Sequence, residues 1–525
     1  MILIASGAYI DGEFATEVGL LPPSFLFIGH QRLYHKQIDF LKRQYDEEIF
    51  LSLPKSFEIN KFDLENLKEL NVTIIRVPDG LTLGDSILYC WNASGKTFKS
   101  LKILHGDTLF INAQFQSRDL ISVHPNKGFY LRAAFRGDEI QNVWAQESEE
   151  VISGFFSFSS PLYFMKLLIE LQGNFIKAME VYFKRYSVTV SSTGQWLDFG
   201  HINSFFHSRS LMTTERAFNA LKMTPRLVTK SSPSNAKKIY AEGNWFEQLP
   251  DQLRIHTPQL LDFSKTGEII YSLEYLYLLP LSDLLVFARL SEGFWLGVLR
   301  AIRKVLVDFS KEKPVDTIDL DCVDSMYLEK TLMRLNQYQH QSGYDINKQI
   351  VVEENNALSL IDIAHKSAQF IQPATLDDIC IVHGDFCFSN LLFDSRVQAV
   401  KCVDPRGVDP VGNFTIYGDR RYDLAKLYHS VVGMYDLIIA NQCKLTTNKD
   451  DCVSSISFYL EDDLQVSLEK IFKSTLLGRY SEKEIIAISV HLFLSMLPLH
   501  YDRPDRQKAF IANALRLYQK LEKLG

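Results

Sequence analysis

Basic residues are missing from the beginning of this sequence, since no lysine or arginine precedes Arg32, and no long basic run occurs later. The 525 residues carry a formal net charge of -7, which argues against a general nucleic-acid-binding protein. No stretch approaches the ~20 apolar residues that a membrane span requires. The opening segment MILIAS (1–6) lacks the basic start of a signal peptide. These absences disfavour nucleic acid and membrane as partners.

Cysteine is also sparse, and the seven cysteines show neither a CxxC spacing nor a paired framework. Such cysteines are typical of reduced thiols, so we expect a cytoplasmic protein. The sequence contains no internal repeat, no low-complexity segment and no linker rich in proline, glycine or serine. The composition, 46% hydrophobic and 23% charged, is that of a globular protein. At roughly 150 residues per domain, the length predicts two to four domains.

The most informative stretch is IVHGDFCFSNLLFD (381–394), which is followed by VKCVDPRG (400–407). Phosphoryl transfer requires a carboxylate that orients and deprotonates the attacking hydroxyl, and oxygen ligands for magnesium. Asp385 suits the base, whereas Asn390 and Asp404 suit the metal. The spacing from Asp385 to Asn390 equals that of the protein-kinase catalytic loop. An Asp-x4-Asn followed by an aspartate at a strand end is an uncommon pattern, which favours a catalytic loop.

This stretch resembles the catalytic loop of the aminoglycoside-phosphotransferase and choline-kinase family, whose members phosphorylate small molecules. The resemblance implies a kinase-like fold with ATP and Mg²⁺ as cofactors. The later run YGDRRYDLAKLYHS (417–430) is similar to the helix that follows the metal aspartate in that family. We expect Asp423 there to anchor the loop by hydrogen bonds, and His383 to support the loop backbone.

A second pair of residues resembles the β3 lysine and helix-C glutamate of kinases. RLVTKSS (226–232) is predicted as a strand that ends near Lys230, and NAKKIYAEGNWFEQLP (235–250) as a helix that carries Glu242. The resemblance implies that Lys230 contacts the α- and β-phosphates and that Glu242 fixes its position. Lys237 or Lys238 and Glu247 are the competing assignments.

The segments that would bind the rest of the nucleotide are less distinctive. SRSLMTTERAFNALKMTP (208–225) contains no glycine, so Ser210, Thr213 and Thr214 are the candidates for covering the phosphates. EIIYSLEYLYLLPLSDLL (268–285) resembles the family's hinge, where adenine would bond to the backbone near Glu274–Leu276.

The first half alternates short apolar strands with helical patterns. Strands are predicted at 1–6, 48–54, 71–77 and 101–111, and helices at 32–44, 60–71 and 80–91. This alternation is typical of a parallel sheet with helices on both faces, in which ligands bind beyond the carboxyl ends of the strands. Asp107 occupies such a position, directly after an apolar run.

Three segments of this half resemble sugar-phosphate nucleotidyltransferases. HGDTLF (105–110) is similar to their GD motif, GFFSFSSPLYFMKLL (154–168) to their Gly-aromatic strand and following helix, and QWLDFGHINSFFHS (195–208) to their WLDxGT segment. The resemblance implies that Asp107 and Asp198 hold a magnesium ion, which hard carboxylate ligands favour.

The opening loop departs from that family. Its members carry an arginine and then a Pro-Lys that meet the triphosphate, where negative charge builds up. Here 5–29 contains neither cation: Ser24 stands where the lysine would fall, and Asp11, Glu13 and Glu17 add negative charge. We therefore expect this unit to retain the fold, whereas its nucleotidyl transfer is in doubt unless Arg32 or Lys36 replaces the missing cations.

The sequence therefore predicts an α/β nucleotidyltransferase-like domain with a Rossmann-type mixed sheet at 1–207, and an α+β bilobal protein-kinase-like domain at 208–525. The predicted function is ATP- and Mg²⁺-dependent phosphorylation of a hydroxyl on a sugar, polyol or amino alcohol, which supplies a precursor of cell-surface polysaccharide. One alternative is a bifunctional enzyme that also uses a second nucleoside triphosphate. Another is a degenerate nucleotide-binding scaffold.

Overall fold

The structure is a computed structural model that describes residues 1–125, 131–136, 139–144, 150–212, 220–353, 356–447 and 453–524. The chain divides into two compact units. The first unit comprises Met1–Thr213 with Phe287–Arg289, and the second comprises Thr214–Val286 with Leu290–Gly525.

The first unit contains strands along most of its described length. They are β1 (Ile2–Ala5), β2 (Phe27–Ile28), β3 (Gln31–Arg32), β4 (Ile49–Pro54), β5 (Thr73–Val77), β6 (Leu101–His105), β7 (Thr108–Ile111), β8 (Leu120–Pro125), β9 (Leu131–Arg136), β10 (Glu139–Trp144), β11 (Glu150–Phe158), β12 (Thr189–Ser191) and β13 (Gln195–Asp198). The helices are α1 (Gly12–Val18), α2 (Leu33–Lys42), α3 (Lys61–Glu69), α4 (Leu83–Ala93), α5 (Pro161–Glu170), α6 (Phe175–Arg185) and α7 (Ile202–Met212).

A seven-stranded sheet, in the order β12-β8-β11-β6-β1-β4-β5, organises the described part of this unit. Six of its seven strands run in the same direction, and Ile2 of β1 pairs with Ile49 of β4 and Lys102 of β6. β11 alone runs antiparallel to its neighbours, β6 and β8, so the sheet is mixed, as predicted for the fold class, and the parallel pattern expected from the alternation does not extend to β11. An antiparallel neighbour needs no crossover helix, and the helical alternation that the prediction followed stops there.

The predicted strand 101–111 is in fact two strands that are separated by a turn at Gly106 and Asp107. β1 approaches this turn closely, since a Cβ added to Gly106 would lie 2.8 Å from the Ser6 Cβ. β7 leaves the main sheet and pairs antiparallel with β13 instead. The apolar run continues through both strands, so hydrophobicity alone did not reveal the break.

The second unit combines several small sheets with many helices. Its strands are β14 (Ala220–Met223), β15 (Leu227–Ser231), β16 (Leu260–Ser264), β17 (Ile270–Glu274), β18 (Leu279–Pro280), β19 (Ile350–Glu353), β20 (Asn356–Leu358), β21 (Ile379–Ile381), β22 (Leu391–Asp394), β23 (Ala399–Cys402), β24 (Tyr417–Asp419), β25 (Cys443–Thr447) and β26 (Val453–Phe458). The helices that follow α7 in the chain are α8 (Ala236–Gln248), α9 (Leu281–Phe287), α10 (Glu292–Ser310), α11 (Leu320–Asp324), α12 (Leu328–Ser342), α13 (Leu360–Ala368), α14 (Arg420–Val431), α15 (Tyr435–Ile439), α16 (Asp462–Thr475), α17 (Glu482–Ser495) and α18 (Pro504–Lys523).

A four-stranded antiparallel sheet, β14-β15-β17-β16, comes first in this unit, and α8 packs against it. The later part is largely helical and contains the short sheets β18-β22-β23 and β21-β24. The core helix α17 is buried over nearly its whole length. The predicted fold class, an α/β unit with a mixed sheet followed by an α+β unit, is therefore confirmed. Among the described residues, no helix combines the length and apolar character needed to cross a membrane.

A histidine in α17 makes the stability of the second unit dependent on pH. His491 hydrogen-bonds through Nδ1 to Thr331 (3.0 Å) and through Nε2 to Ser367 (3.2 Å). Burial lowers its pKa from 6.5 to about 3. Above pH 6.5 the histidine is neutral in both states. As the pH falls towards 3, only the unfolded chain gains the proton, and the free energy of unfolding decreases by about 1.4 kcal/mol per pH unit.

We therefore expect the melting temperature to fall between about pH 7 and about pH 5, and His491→Gln to show a smaller fall. Circular dichroism melting curves of both proteins would measure it. Equal pH dependence in the two proteins would contradict this role of His491.

Candidate active site

The HGD motif lies in a loop that follows β21 and is held from two sides. The backbone N–H groups of His383 and Gly384 donate to the carboxylate of Asp423 at 2.7 and 2.8 Å. His383 Nε2 donates to the carbonyl oxygen of Val403 at 2.9 Å, and burial lowers the pKa of this imidazole to about 4. A buried neutral histidine and a carboxylate on α14 thus fix the backbone that leads into Asp385.

The Asp385 carboxylate has two side-chain partners. Lys426 Nζ on α14 lies 2.8 Å from its Oδ1, and the Asn390 amide donates to its Oδ2 at 3.0 Å and to its backbone oxygen at 2.9 Å. Burial acts to raise the pKa of Asp385, but the Lys426 ammonium outweighs it, so that pKa lies well below its ordinary value. The side chain remains 40% exposed. Asp385 is therefore an ionised carboxylate that a hydroxyl can reach.

Lys230 joins the other predicted residues. Its Nζ lies 2.7 Å from Glu242 Oε2 and 2.9 Å from Asp404 Oδ1. Tyr271 on β17 donates to the same Glu242 oxygen at 2.6 Å. Burial acts to lower the pKa of Lys230, but the Asp404 and Glu242 carboxylates outweigh it and raise that pKa. The charged Lys230 thus connects Glu242 on α8 to Asp404, the predicted metal ligand that follows β23.

The competing lysine and glutamate have other positions. Lys238 Nζ is 3.7 Å from Glu242 and half exposed, whereas Glu247 pairs with Lys265 at 2.5 Å. Lys237 lies over the Phe414 ring at 6.0 Å. The distances favour Lys230 and Glu242 as the buried pair.

Backbone geometry brings the Asn390 and Asp404 loops together. Val403 N–H donates to the Asn390 carbonyl at 2.9 Å, and Asp404 itself has a positive φ of 59°. Gly384 has a φ of 76°, and a Cβ there would lie 2.7 Å from the Arg406 Cβ. Glycine is therefore required before Asp385, because a larger residue would be strained and would collide with Arg406.

The side chains of Asn390 and Asp404 offer oxygen donors of the kind that Mg²⁺ prefers. Asn390 turns its amide nitrogen towards Asp385, so its Oδ1 faces another direction, with Ser389 Oγ at 3.4 Å. Asp404 is 46% exposed beyond its contact with Lys230. No cluster of three His, Cys, Asp or Glu side chains suited to a metal occurs in the described ranges. Two protein ligands fit a magnesium ion that is completed by phosphate oxygens and water.

The predicted hinge follows β17. Glu274 Oε1 accepts from the Gln259 N–H at 2.9 Å, which ties β16 to β17, and Tyr275 N–H donates to the Arg226 carbonyl at 2.9 Å. Within the part of the chain that the structure describes, the backbone of Leu276 makes no hydrogen bond to another backbone group. The Leu276 backbone is therefore a candidate for the predicted contact with adenine. The Glu274 side chain has a structural contact instead.

The predicted phosphate-covering residues receive no support. Ser210 lies in α7, where its hydroxyl donates to the His207 carbonyl at 2.7 Å. Thr213 and Thr214 lie outside the described residues. Trp245, the aromatic residue of α8 on the same helix as Glu242, is 1% exposed and donates to the Val382 carbonyl at 2.9 Å. It belongs to the core.

Sequence reasoning missed two basic residues of this site, Lys426 and Arg406. Lys426 lies 41 positions after Asp385 and one helical turn after Tyr422 on α14. Arg406 directly follows the Asp404-Pro pair, and one of its guanidinium nitrogens donates to the Tyr422 hydroxyl at 2.7 Å. The available signal was the lysine of the DLAK run, because a residue three positions after Asp423 lies on nearly the same face of the helix.

The first unit also brings its two predicted metal residues together. A Cβ added to Gly200 would lie 2.5 Å from Asp107 Oδ2 and 3.3 Å from Asp198 Oδ1, so both carboxylates converge on this glycine. The two segments are joined further by the Phe199 N–H, which donates to the Asp107 carbonyl at 2.8 Å. The pair supplies oxygen donors that fit a divalent cation.

Arg32 does not supply the cation that the opening loop of the first unit lacks. Its guanidinium is buried, pairs with Asp63 at 3.2 Å, and donates to the carbonyls of Phe25 and Phe287 at 2.7 Å each. The Ser24 hydroxyl is fully buried and donates to the Gly106 carbonyl at 3.2 Å. Lys36 is half-buried on α2 and makes no ion pair within the described part of the chain. Arg32 is therefore a structural residue.

Comparison with known proteins gives likeness of fold only. No family model and no curated protein matches the sequence. Among solved structures, a nucleoside-diphosphate-sugar pyrophosphorylase from Vibrio cholerae RC9 is similar at 13% identity and a TM-score of 0.33, over 40% of this chain and 99% of that one. The inositol-1-phosphate CTP transferase from T. maritima is similar at 13% identity and a TM-score of 0.30, over 41% and 96%.

An aminoglycoside-3'-phosphotransferase of type VIII is similar at 14% identity and a TM-score of 0.31, over 56% of this chain and 99% of that one. Both kinds of protein that the sequence motifs resemble are thus represented among the similar solved structures. The roles of individual residues depend on the contacts described above.

Proposed function

We propose that the second unit transfers the γ-phosphoryl group of ATP to a hydroxyl of a small molecule. The observation that carries this proposal is the assembly of two half-sites. Lys230, held by Glu242, meets Asp404, while Asp385 is held by Asn390 and Lys426. Phosphoryl transfer requires these two functions, phosphate positioning and orientation of the nucleophile, in one site.

Each residue has a step that its contacts support. Asp385 accepts a hydrogen bond from the acceptor hydroxyl and takes its proton as the bond to phosphorus forms. Lys426 keeps Asp385 ionised, and Lys230 binds phosphate oxygens. Asn390 and Asp404 would hold Mg²⁺, whose charge offsets that of the phosphates. The Leu276 backbone would receive adenine.

The finer assignments belong to the same proposal. We infer that the acceptor is a sugar, a polyol or an amino alcohol, and that its phosphate ester serves as a precursor of cell-surface polysaccharide. Support for the pathway comes only from the association of a kinase-type unit with a nucleotidyltransferase-type unit.

Lys426 gives a test of the mechanism that the sequence motifs do not suggest. We expect Lys426→Met to lower kcat for ADP formation at least about tenfold, because Asp385 would lose the cation that keeps its carboxylate ionised against the effect of partial burial. Lys426→Arg should restore part of the rate. Lys366→Met, which removes an exposed lysine of α13, is the control. An unchanged kcat in Lys426→Met would remove Lys426 from the mechanism.

The bifunctional alternative makes a different prediction for the first unit. Because Arg32 and Ser24 supply no cation to a triphosphate, we expect no pyrophosphate from CTP, UTP or dTTP above the background rate. Asp107→Ala should leave ADP formation by the second unit unchanged. Pyrophosphate release that Asp107→Ala abolishes would instead establish a second activity, with Lys36 as the first cation to mutate.

A further inference from the structure

A cavity of about 740 Å³ lies in the first unit, at the edge of its sheet where the parallel strands begin. Its lining includes Lys99, Ser100 and Lys102 at the start of β6. Ser157 and Ser159, at the end of the antiparallel β11, lie on the same lining. Small-molecule sites occupy roughly 300–1,000 Å³. The cavity is therefore large enough for a complete small metabolite.

This cavity is separate from the predicted metal residues of the same unit. Asp107 follows β6 at its carboxyl end, and Asp198 converges with it on Gly200. Phe158 of β11 pairs with Leu101, the first residue of β6, which places the cavity at the other end of that strand. The five residues of β6, at about 3.3 Å per residue step, put roughly 13 Å of strand between the two ends. The cavity is thus a different site from the carboxylate pair.

The charged residues of the lining are mostly basic. They are one carboxylate, Glu47, and four cations, Arg43, Lys99, Lys102 and Arg118. Lys102 pairs with Glu47 and also donates to the Ser100 hydroxyl at 3.2 Å. Burial acts to raise the pKa of Glu47, but Lys102 outweighs it and lowers that pKa, so this pair is ionised. The other three cations therefore leave the lining with an excess of positive charge.

These three cations have no ion-pair partner. Among the described residues, no aspartate or glutamate lies within ion-pair distance of Arg43, Lys99 or Arg118, and all three residues are exposed. They belong to three different segments, which follow α2, precede β6 and precede β8. Lys96, by contrast, pairs with Glu48 at 2.7 Å. Unpaired cations from separate segments around one cavity create a local positive field that attracts anions.

Two acidic residues are adjacent to lining residues in the sequence but do not line the cavity. Asp119 accepts from the N–H and hydroxyl of Ser159 at 2.8 and 2.6 Å, and from the Tyr182 hydroxyl at 2.7 Å. Asp46 is exposed to solvent. Even when both carboxylates are counted, the unpaired cations outnumber them.

Neutral donors on the same lining are also available to a ligand. Over the ranges that the structure describes, the side chains of Gln114, Gln116 and Ser117 make no hydrogen bond. Amides and hydroxyls donate to phosphate oxygens, and arginine can do so through two N–H groups at once. A single phosphate ester carries a charge of only about -1.5 to -2, which does not balance three cations. The lining therefore fits a ligand with more than one phosphate group.

We propose that this cavity binds a small molecule that carries two or more phosphate groups, such as a nucleotide or a sugar bisphosphate. Arg43, Lys99 and Arg118 would supply the balancing charge, and the neutral donors would bind the remaining oxygens. The site is distinct from the Asp107 and Asp198 pair, and it is independent of the phosphotransferase function proposed for the second unit.

Isothermal titration calorimetry of the full-length chain tests the site with inorganic phosphate, pyrophosphate, ADP and fructose 1,6-bisphosphate. EDTA is present throughout, so that no metal ion bridges a phosphate to the carboxylates elsewhere in the chain. Pyrophosphate should bind at least about tenfold more tightly than inorganic phosphate, and its affinity should fall as salt is added. ADP and the sugar bisphosphate distinguish a preference for adjacent phosphates from one for separated phosphates.

Variants assign the binding to this cavity. Arg118→Met and Lys99→Met should each raise the Kd for pyrophosphate about tenfold, and the double variant should raise it further. Lys61→Met, which removes an exposed lysine of α3 and changes the net charge equally, should keep the wild-type Kd. Since the mutated side chains have no partner among the described residues, the melting temperatures without ligand should stay at the wild-type value.

Three results would overturn the proposal. If neither pyrophosphate nor the other polyphosphates bind at millimolar concentration, the cavity is not such a site. If they bind the Arg118 and Lys99 variants as tightly as the wild type, binding occurs elsewhere. If inorganic phosphate binds as tightly as pyrophosphate, the assigned ligand class is wrong. Because the assay contains neither Mg²⁺ nor an acceptor, a failure of the phosphotransferase proposal would leave these results unchanged.

Discussion

Asp385→Asn should lower the rate of ADP formation by about 10²- to 10⁴-fold, the contribution that a positioned general base makes. The amide keeps the size of the side chain and its contact with Asn390, but it cannot accept a proton. The low pKa of Asp385, which Lys426 maintains, leaves the carboxylate available as a proton acceptor at neutral pH.

The readout is single-turnover ADP formation, with ATP binding measured in parallel. Binding should be retained, because the Lys230 half-site does not include Asp385. Asp377→Asn is the matched control, since that side chain is 85% exposed. An Asp385→Asn protein with wild-type turnover would show that another group accepts the proton.

The second large effect is expected at Lys230. Lys230→Met should lower kcat/KM for ATP by about 10²-fold or more, because it removes a cation from the position where phosphate charge is bound. It also leaves Glu242, which is 1% exposed, with the Tyr271 hydroxyl and the distant Lys238 as its remaining partners. Some loss of thermal stability should accompany the loss of activity.

Glu242→Gln separates the two consequences. It keeps the lysine but removes the partner that positions it, so activity should fall less than in Lys230→Met while the melting temperature is largely kept. Lys222→Met, on the exposed face of the neighbouring strand β14, serves as the control. If Lys230→Met bound and used ATP as the wild type does, the nucleotide would lie elsewhere.

The sequence predicted most individual elements because their apolar periodicities are clear. The helix with Glu242 and the strand with Lys230 fall within the predicted segments. The same reasoning failed at Gly106, where two strands share one apolar run, and at β11, where no local pattern states which neighbour a strand will choose. Strand order is decided by contacts between distant segments, which local periodicity does not contain.

The site shows the same division. Asp385, Asn390 and Asp404 could be proposed from the sequence because the spacing of Asp385 and Asn390 within one loop is specific and Asp404 follows at the end of the second strand after it. Lys426 and Arg406 could not be found in this way, because only the fold brings Lys426 to Asp385 and Arg406 to Tyr422. In the first unit, the sequence shows that the opening loop lacks the expected cations. Only the structure shows that Arg32 does not replace them, because its guanidinium contacts Asp63 and two carbonyls.

The most direct test of the central proposal follows the γ-phosphate of ATP. The full-length chain is incubated with γ-labelled ATP, Mg²⁺ and a panel of sugars, polyols and amino alcohols, and the products are separated into ADP, pyrophosphate and acid-stable phosphate esters. We expect the wild type to form labelled phosphate ester and unlabelled ADP in equal amounts, Asp385→Asn to form neither, and neither protein to form pyrophosphate. Labelled pyrophosphate without a labelled ester would contradict this expectation, and would move the catalytic centre from Asp385 to the Asp107 and Asp198 pair.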